Sequence, residues 1–275
     1  MKMSARNSER VAKVLIWTAA VFVLAVLLFI IIYILVRGIP VISWSYITEL
    51  PHSMGREGGI ASAIVGTLMV TAVAILIAAP FGIGTAFYLA EYTREGLITR
   101  IIRFSAESLA GIPSIVYGLF GFIFFVIYLD LGWSVLSGGL TLAFMILPTI
   151  IRTSEEAILA VPKIYREVSF SLSATKTQTI FKVVFPSALR GIANGLILGI
   201  GRSIAETAAV MLTAGSALRM ASSLFDSTRT MAVHFYILAV EGISMANAYG
   251  TAALLIILIF LINVVFNALV NRFVR

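Results

Sequence analysis

Arg202 and Glu206 stand in the stretch Gly191–Leu218, which is otherwise apolar or neutral. Ionisable groups inside a long apolar run are costly, so they mark the first place to look for chemistry. Four residues apart, they are neighbours on one face of a helix. A guanidinium brings a permanent charge and a planar fork that matches two oxygens of an oxyanion. A nearby carboxylate can hold that guanidinium between ligands, or accept a hydrogen bond from a protonated anion oxygen. Thr207 adds a hydroxyl beside them. The competing structural reading is an internal ion pair that pins one helix to its neighbours. At about 100° per residue, positions 191, 195, 199, 202 and 206 fall within roughly 80° of one another. Gly191, Gly195 and Gly199 share that stripe, and small residues at this spacing let another helix approach closely.

The elements that position this pair follow from composition. Of 275 residues, 60% are apolar and 12% charged, where a soluble domain carries about 25% charged residues. This balance excludes a soluble enzyme, a disordered regulator and a nucleic-acid binder. A bilayer core needs about 20 apolar residues per helix. Six spans meet that need: Val14–Val36, Gly58–Ala90 (its hydrophobic part ending near Pro80-Phe81-Gly82), Ser108–Leu129, Leu131–Ile151, Gly191–Leu218 and Gly250–Val270. The first is too long for a cleaved signal and is expected to remain as an anchor. The 11 apolar residues Thr230–Val240 are too few to cross and predict a short helix packed at one surface. The architecture expected is thus an all-α, six-helix integral membrane protein.

Basic residues set the orientation. With the N-terminus inside, 15 of the 20 Lys and Arg are cytoplasmic. They are Lys2, Arg6, Arg10 and Lys13 in the tail; Arg94, Arg100 and Arg103 after span two; Arg152, Lys163, Arg166, Lys176, Lys182 and Arg190 after span four; and Arg272 and Arg275 at the end. Only Arg37, Arg56, Arg219 and Arg229 fall outside. Both termini are therefore expected in the cytoplasm, with residues 1–13 as a tail and 58–270 as the permeation unit.

The long cytoplasmic segment 152–190 carries helix signals. Thr153-x-x-Glu156 and Thr175-x-x-Gln178 match capping boxes. Pro162 suits a first helical turn, and Pro186 is expected to stop the last piece. Short helices here either rest on anionic headgroups of membrane lipid or dock a cytoplasmic partner. Other residues carry less. His52 and His234 are expected as surface or packing residues, and no His, Cys or carboxylate set has metal-ligand spacing. Trp44 and Tyr46 suit an interfacial aromatic belt. Ser114 and Tyr117 flank Pro113 as weaker polar candidates. Cysteine is absent, and no lysine follows a glycine, which excludes a phosphate-binding loop of the G-x-x-x-x-G-K-[ST] kind. Neither a cofactor nor a catalytic constellation is expected.

Glu167-Val168-Ser169, Ser173, Ile180 and Phe185-Pro186 resemble the E-A-A-x-x-x-G…I-x-L-P coupling loop of ABC importer permeases, with Val168-Ser169 for Ala-Ala and Ser173 for the glycine. A Cβ at that turn makes left-handed backbone costly. The resemblance covers nearly the whole chain and narrows to phosphate-specific transport (Pst) permeases, the PstA type more than the PstC type. It rests on Gly38-Ile39-Pro40…Ser43-Trp44-Ser45, Gly58-Gly59-Ile60…Gly66-Thr67-Leu68, Pro80-Phe81-Gly82-Ile83-Gly84, Tyr88-Leu89-Ala90-Glu91-Tyr92, Leu109–Gly118 and Gly201-Arg202-x-x-x-Glu206-Thr207-Ala208, the last with Ala205 where glycine is usual. It implies the type I importer (MetI-like) fold in a bacterial or archaeal plasma membrane. It also implies a homologous PstC-like permease, two cytoplasmic PstB-like ATPases, an extracytoplasmic PstS-like binding protein and inorganic phosphate as cargo. By the same resemblance, Arg202, Glu206 and Thr207 bind substrate, while Pro162, Glu167, Val168, Ser169 and Ser173 couple to the ATPase.

Overall fold

A computed structural model of the chain describes residues 5–93 and 96–273. Lys2, Arg94 and Arg275 of the charge count lie outside them. A first long helix, α1 (Ala5–Gly38), leads through the short α2 (Trp44–Thr48) and a two-residue hairpin, β1 (Pro51–His52) against β2 (Glu57–Gly58), to α3 (Ala61–Phe87). A π turn, Tyr88–Tyr92, ends α3. Next come α4 (Leu97–Ala110), α5 (Ser114–Gly121) with a π extension to Tyr128, and α6 (Val135–Leu159). The short helices α7 (Lys163–Ser171) and α8 (Lys176–Thr179) precede α9 (Phe185–Ala205), α10 (Ala208–Thr213), α11 (Met231–Val240) and α12 (Met245–Phe273). Among the described residues five helices are long and apolar enough to cross, and six spans result if α4 and α5, bent by 100°, count as one.

The spans pack because small residues remove the space between them. Gly139 of α6 meets Val73 of α3, and Gly82 of α3 meets Ile150. Around these contacts Val70, Ala74, Leu142, Ile146 and Val210 form a dry core. The stripe glycines do the same on α9. Gly191, Gly195 and Gly199 face Ala157, Thr153 and Ile150 of α6, as the sequence pattern required. By contrast α1 contacts its neighbours mainly at its C-terminal end. There Gly38 abuts the Tyr249 backbone, and the Arg37 guanidinium lies 4.8 Å from the Tyr33 ring centre.

Four local expectations are corrected. Thr153 does not begin a helix, because α6 runs unbroken to Leu159. Its hydroxyl donates to the Thr149 carbonyl at 2.6 Å, a bond that a mid-helix threonine can make without ending the helix. Pro186 ends nothing, since the helix runs from Lys176 to Ala205. A π turn at Ile180–Val184 precedes the proline, and the wider turn accommodates a ring that carries no N–H. Span three does not run straight from Ser108, because Gly111-Ile112-Pro113 breaks it into α4 and α5. Tyr46 is no belt residue. It is 4% exposed, and its hydroxyl donates to the Asn247 carbonyl at 2.8 Å, whereas Trp44 is 78% exposed. The other capping box holds: Thr175 and Gln178 exchange side-chain and backbone bonds at the start of α8.

Candidate functional site

Span five is broken where its charges sit. Arg202 occupies the last turn of α9, where the helix dipole favours a cation. The helix stops at Ala205, and Glu206 turns into extended backbone (φ −74°, ψ 131°) before α10 restarts. The break removes Glu206 from the helical stripe. Its Oε1 instead accepts the Ala209 N–H at 3.2 Å and so caps α10. Among the described residues Arg202 makes no hydrogen bond or ion pair, and Glu206 makes no ion pair. The i, i+4 pair expected from spacing, and with it the helix-pinning bridge, is therefore not formed. Arg202, Glu206 and Thr207 are each half-buried.

A second break faces the first. Gly118 of α5 packs directly on Ala209 of α10, leaving 2.8 Å from its absent Cβ to the Ala209 Cα. This contact places Tyr117 within electrostatic reach of Arg202. The Tyr117 hydroxyl donates to the Leu109 carbonyl at 2.8 Å, which satisfies one acceptor freed where α4 ends. Ser114 opens α5 without capping it. Irregular backbone at membrane depth persists only where protein or a water-filled cavity covers it, and broken helices of this kind hold the ligand sites of many transporters. Chemically, the arrangement offers an unpaired guanidinium, a carboxylate and a hydroxyl to an oxyanion.

A cleft of about 500 Å³ opens elsewhere, between the end of α3, α4 and the C-terminal half of α6. Its charges are matched: Arg103 reaches Glu155 at 2.7 Å, and Arg152 reaches Glu156 at 3.1 Å and Glu107 at 3.8 Å. It offers no uncompensated cation.

The residues that the family resemblance assigns to coupling lie together in one short unit. Pro162 is the N-cap of α7, and Glu167, Val168 and Ser169 follow within it. Val168 is exposed, whereas the buried Ser169 hydroxyl meets that of Thr179 at 2.8 Å, joining α7 to α8. Ser173 adopts φ 61°. Its N–H bonds the Phe170 carbonyl and the next N–H, of Ala174, bonds that of Ser169, the two bonds of a Schellman cap. Serine thus makes the turn that glycine makes with less strain. Ile164, Tyr165, Val168 and Leu172 leave an apolar surface open on this unit.

Neither histidine forms a metal site, and no group of three ligating side chains occurs among the described residues. His52 is exposed. His234 is fully buried in α11, its Nδ1 3.5 Å from Arg229 Nη1. Burial and the adjacent guanidinium lower its pKa to about 4. Sequence reasoning missed two structural arginines. Arg229 is 4% exposed and donates to the Ser216 carbonyl. Arg166 bridges the ends of α3 and α6, and nothing local distinguished either from a solvated basic residue.

Known proteins share this organisation. The chain is 30% identical over 277 residues to the probable ABC transporter permease protein YqgI of Bacillus subtilis, covering 95% of this chain and 94% of that one. It is 32% identical over 267 residues to the phosphate transport system permease protein PstA of Mycobacterium leprae, covering 94% and 87%. Among solved structures, a bacterial alginate ABC importer superposes with a TM-score of 0.66 at 14% identity, covering 97% of this chain and 96% of that one. The inward-facing MetNI methionine ABC transporter gives 0.63 at 22%, covering 76% and 94%. These two establish the type I importer permease fold. Residues 78–275 match the family described as binding-protein-dependent transport system inner membrane component, so the chain belongs to that family and is a multi-pass transport subunit of a membrane.

Proposed function

We propose that this chain is the permease subunit of an ATP-driven importer of inorganic phosphate and forms half of its translocation pathway. The observation that carries the reading is Arg202, a guanidinium without a partner at a helix break inside the bundle. PstA relatives at 32–34% identity supply the cargo. Arg202 would bind two anion oxygens, and Glu206 would accept a hydrogen bond from the protonated oxygen of hydrogen phosphate, with Thr207 donating from the adjoining turn. A second, PstC-like permease completes the path. One PstB-like ATPase docks on the apolar face of α7 and a second on the matching unit of the partner permease, and a PstS-like protein delivers phosphate on the outer side. Both termini face the cytoplasm, as the basic residues require. ATP binding draws the two α7 units together and opens the site outward; hydrolysis returns it inward.

The test is phosphate uptake into proteoliposomes carrying the co-purified complex. Uptake that requires ATP and binding protein, and resists a large excess of sulfate and molybdate, supports the reading. Effective competition by those anions, which carry no proton for Glu206, would convert it to a permease for another oxyanion. Uptake by this chain alone would make it a stand-alone secondary transporter.

A further inference from the structure

Arg166 and Glu91 each sit at the wrong end of a helix for their charge. Glu91 lies in the closing turn that ends α3, and Arg166 in the opening turn of α7. A carboxylate is disfavoured near a helix C-terminus and a cation near an N-terminus. Neither is placed to help its own helix, and α7 has no acid in its first turn. Their partner is across the fold. Arg166 Nε and Nη2 both donate to Glu91 Oε1, at 2.9 and 2.6 Å. The other Nη2 proton goes to the Ile158 carbonyl at 2.9 Å, and Nη1 donates to the Val161 carbonyl at 2.8 Å. Both carbonyls lie where α6 ends, so a cation there meets the negative pole of that helix. One guanidinium thus binds the ends of α3 and α6 to the start of α7. The side chains are 17% and 10% exposed, so water competes little for these bonds. A second link runs parallel: Lys176 Nζ lies 4.6 Å above the ring of Tyr92, one residue after Glu91.

We propose that the Arg166–Glu91 pair is the rigid joint that makes α7 move as one body with spans two and four, so that these two are positioning residues for transport. Remove the joint and α7 still offers its apolar face to the ATPase, but its displacement is dissipated before it reaches α3. The inference rests on the proposed ATP-driven import, and its signature is a split between ATP hydrolysis and import. Lost contact with the ATPase would instead lower both.

The experiment uses the complete complex in proteoliposomes and measures phosphate imported per ATP hydrolysed. In Glu91→Gln, which keeps the shape and removes the charge, ATPase subunits should co-purify at wild-type stoichiometry and hydrolysis should stay within about twofold. Import per ATP should fall at least fivefold. The chain has no cysteine, so Glu91→Cys with Arg166→Cys gives it two thiols alone, a pair for a short bismaleimide. Cross-linking that pair should restore the ratio that the uncross-linked double variant has lost. A wild-type ratio in Glu91→Gln would overturn the proposal. A double variant that stays uncoupled once cross-linked would overturn it equally, including where Glu91→Gln fails to assemble. No uptake by the wild-type complex would instead sink the proposed function, so the two failures are distinguishable.

Discussion

Two arginines of this protein show what a guanidinium does when its donors are used and when they are not. Arg166 gives four hydrogen bonds to one carboxylate and two carbonyls. Arg202 gives none among the described residues and ends a half-helix in the middle of the bundle. The first has little left to offer a ligand. The second retains its whole fork, beside a carboxylate held away from it by a cap on α10. The difference lies in the backbone around each. Helix ends supply Arg166 with free carbonyls, whereas Arg202 lies in the intact last turn of α9, just before the break that precedes α10.

The comparison is most exposed at Arg202. Arg202→Gln should reduce phosphate uptake about 100-fold, on the order of 3 kcal/mol for lost charge-assisted bonds to the anion, while the complex still assembles. Lysine there should recover only part, because an ammonium lacks the fork. An assembly failure detected by co-purification would mean that Arg202 is structural after all. The converse holds at Arg166. Arg166→Ala should destabilise the subunit by about 3–5 kcal/mol, since it strands Glu91 in a half-dry site, and thermal unfolding in detergent would read that loss. An unchanged midpoint would break the contrast.

Arg229 supplies an intermediate case: a buried guanidinium with one carbonyl and the His234 ring for company. The imidazole is held neutral, with its pKa lowered to about 4 by burial and by Arg229. Unfolded histidine titrates near 6.5, so the unfolded chain binds the extra proton between those values. Stability is therefore full above pH 6.5 and should fall by about 3 kcal/mol as pH drops toward 4. His234→Gln should flatten that part of the acid-unfolding profile. The smallest effect concerns the turn that follows Arg166 and its helix. Ser173→Gly relieves a left-handed residue and should stabilise by about 1 kcal/mol, raising the melting temperature of the subunit.

Several of these features were legible before folding. The apolar helices, five long enough to cross among the described residues and six spans with the bent α4–α5 pair, needed only length and hydropathy. The glycine stripe announced the face of α9 that meets α6, because a period of four on a helix leaves no other geometry. Capping at Thr175 and the unit 162–173 could be found because their bonds close within a few residues. Thr153-x-x-Glu156 shows the limit of such local signals. The same residues can cap a helix or ride within one, and packing of α6 against α3 and α9 carried the helix through.

Sequence by itself therefore determined the membrane habitat, the apolar segments, the family and the identity of the charged residues, since these depend on composition, period and order. Tertiary structure alone decided which charges meet. The break after Ala205 separated a pair that spacing had joined, and the fold joined Arg166 to a carboxylate 75 positions away. The physical reason is range. Hydropathy and caps act over one or two turns, whereas a guanidinium takes whatever acceptors three dimensions bring within about 3 Å of it.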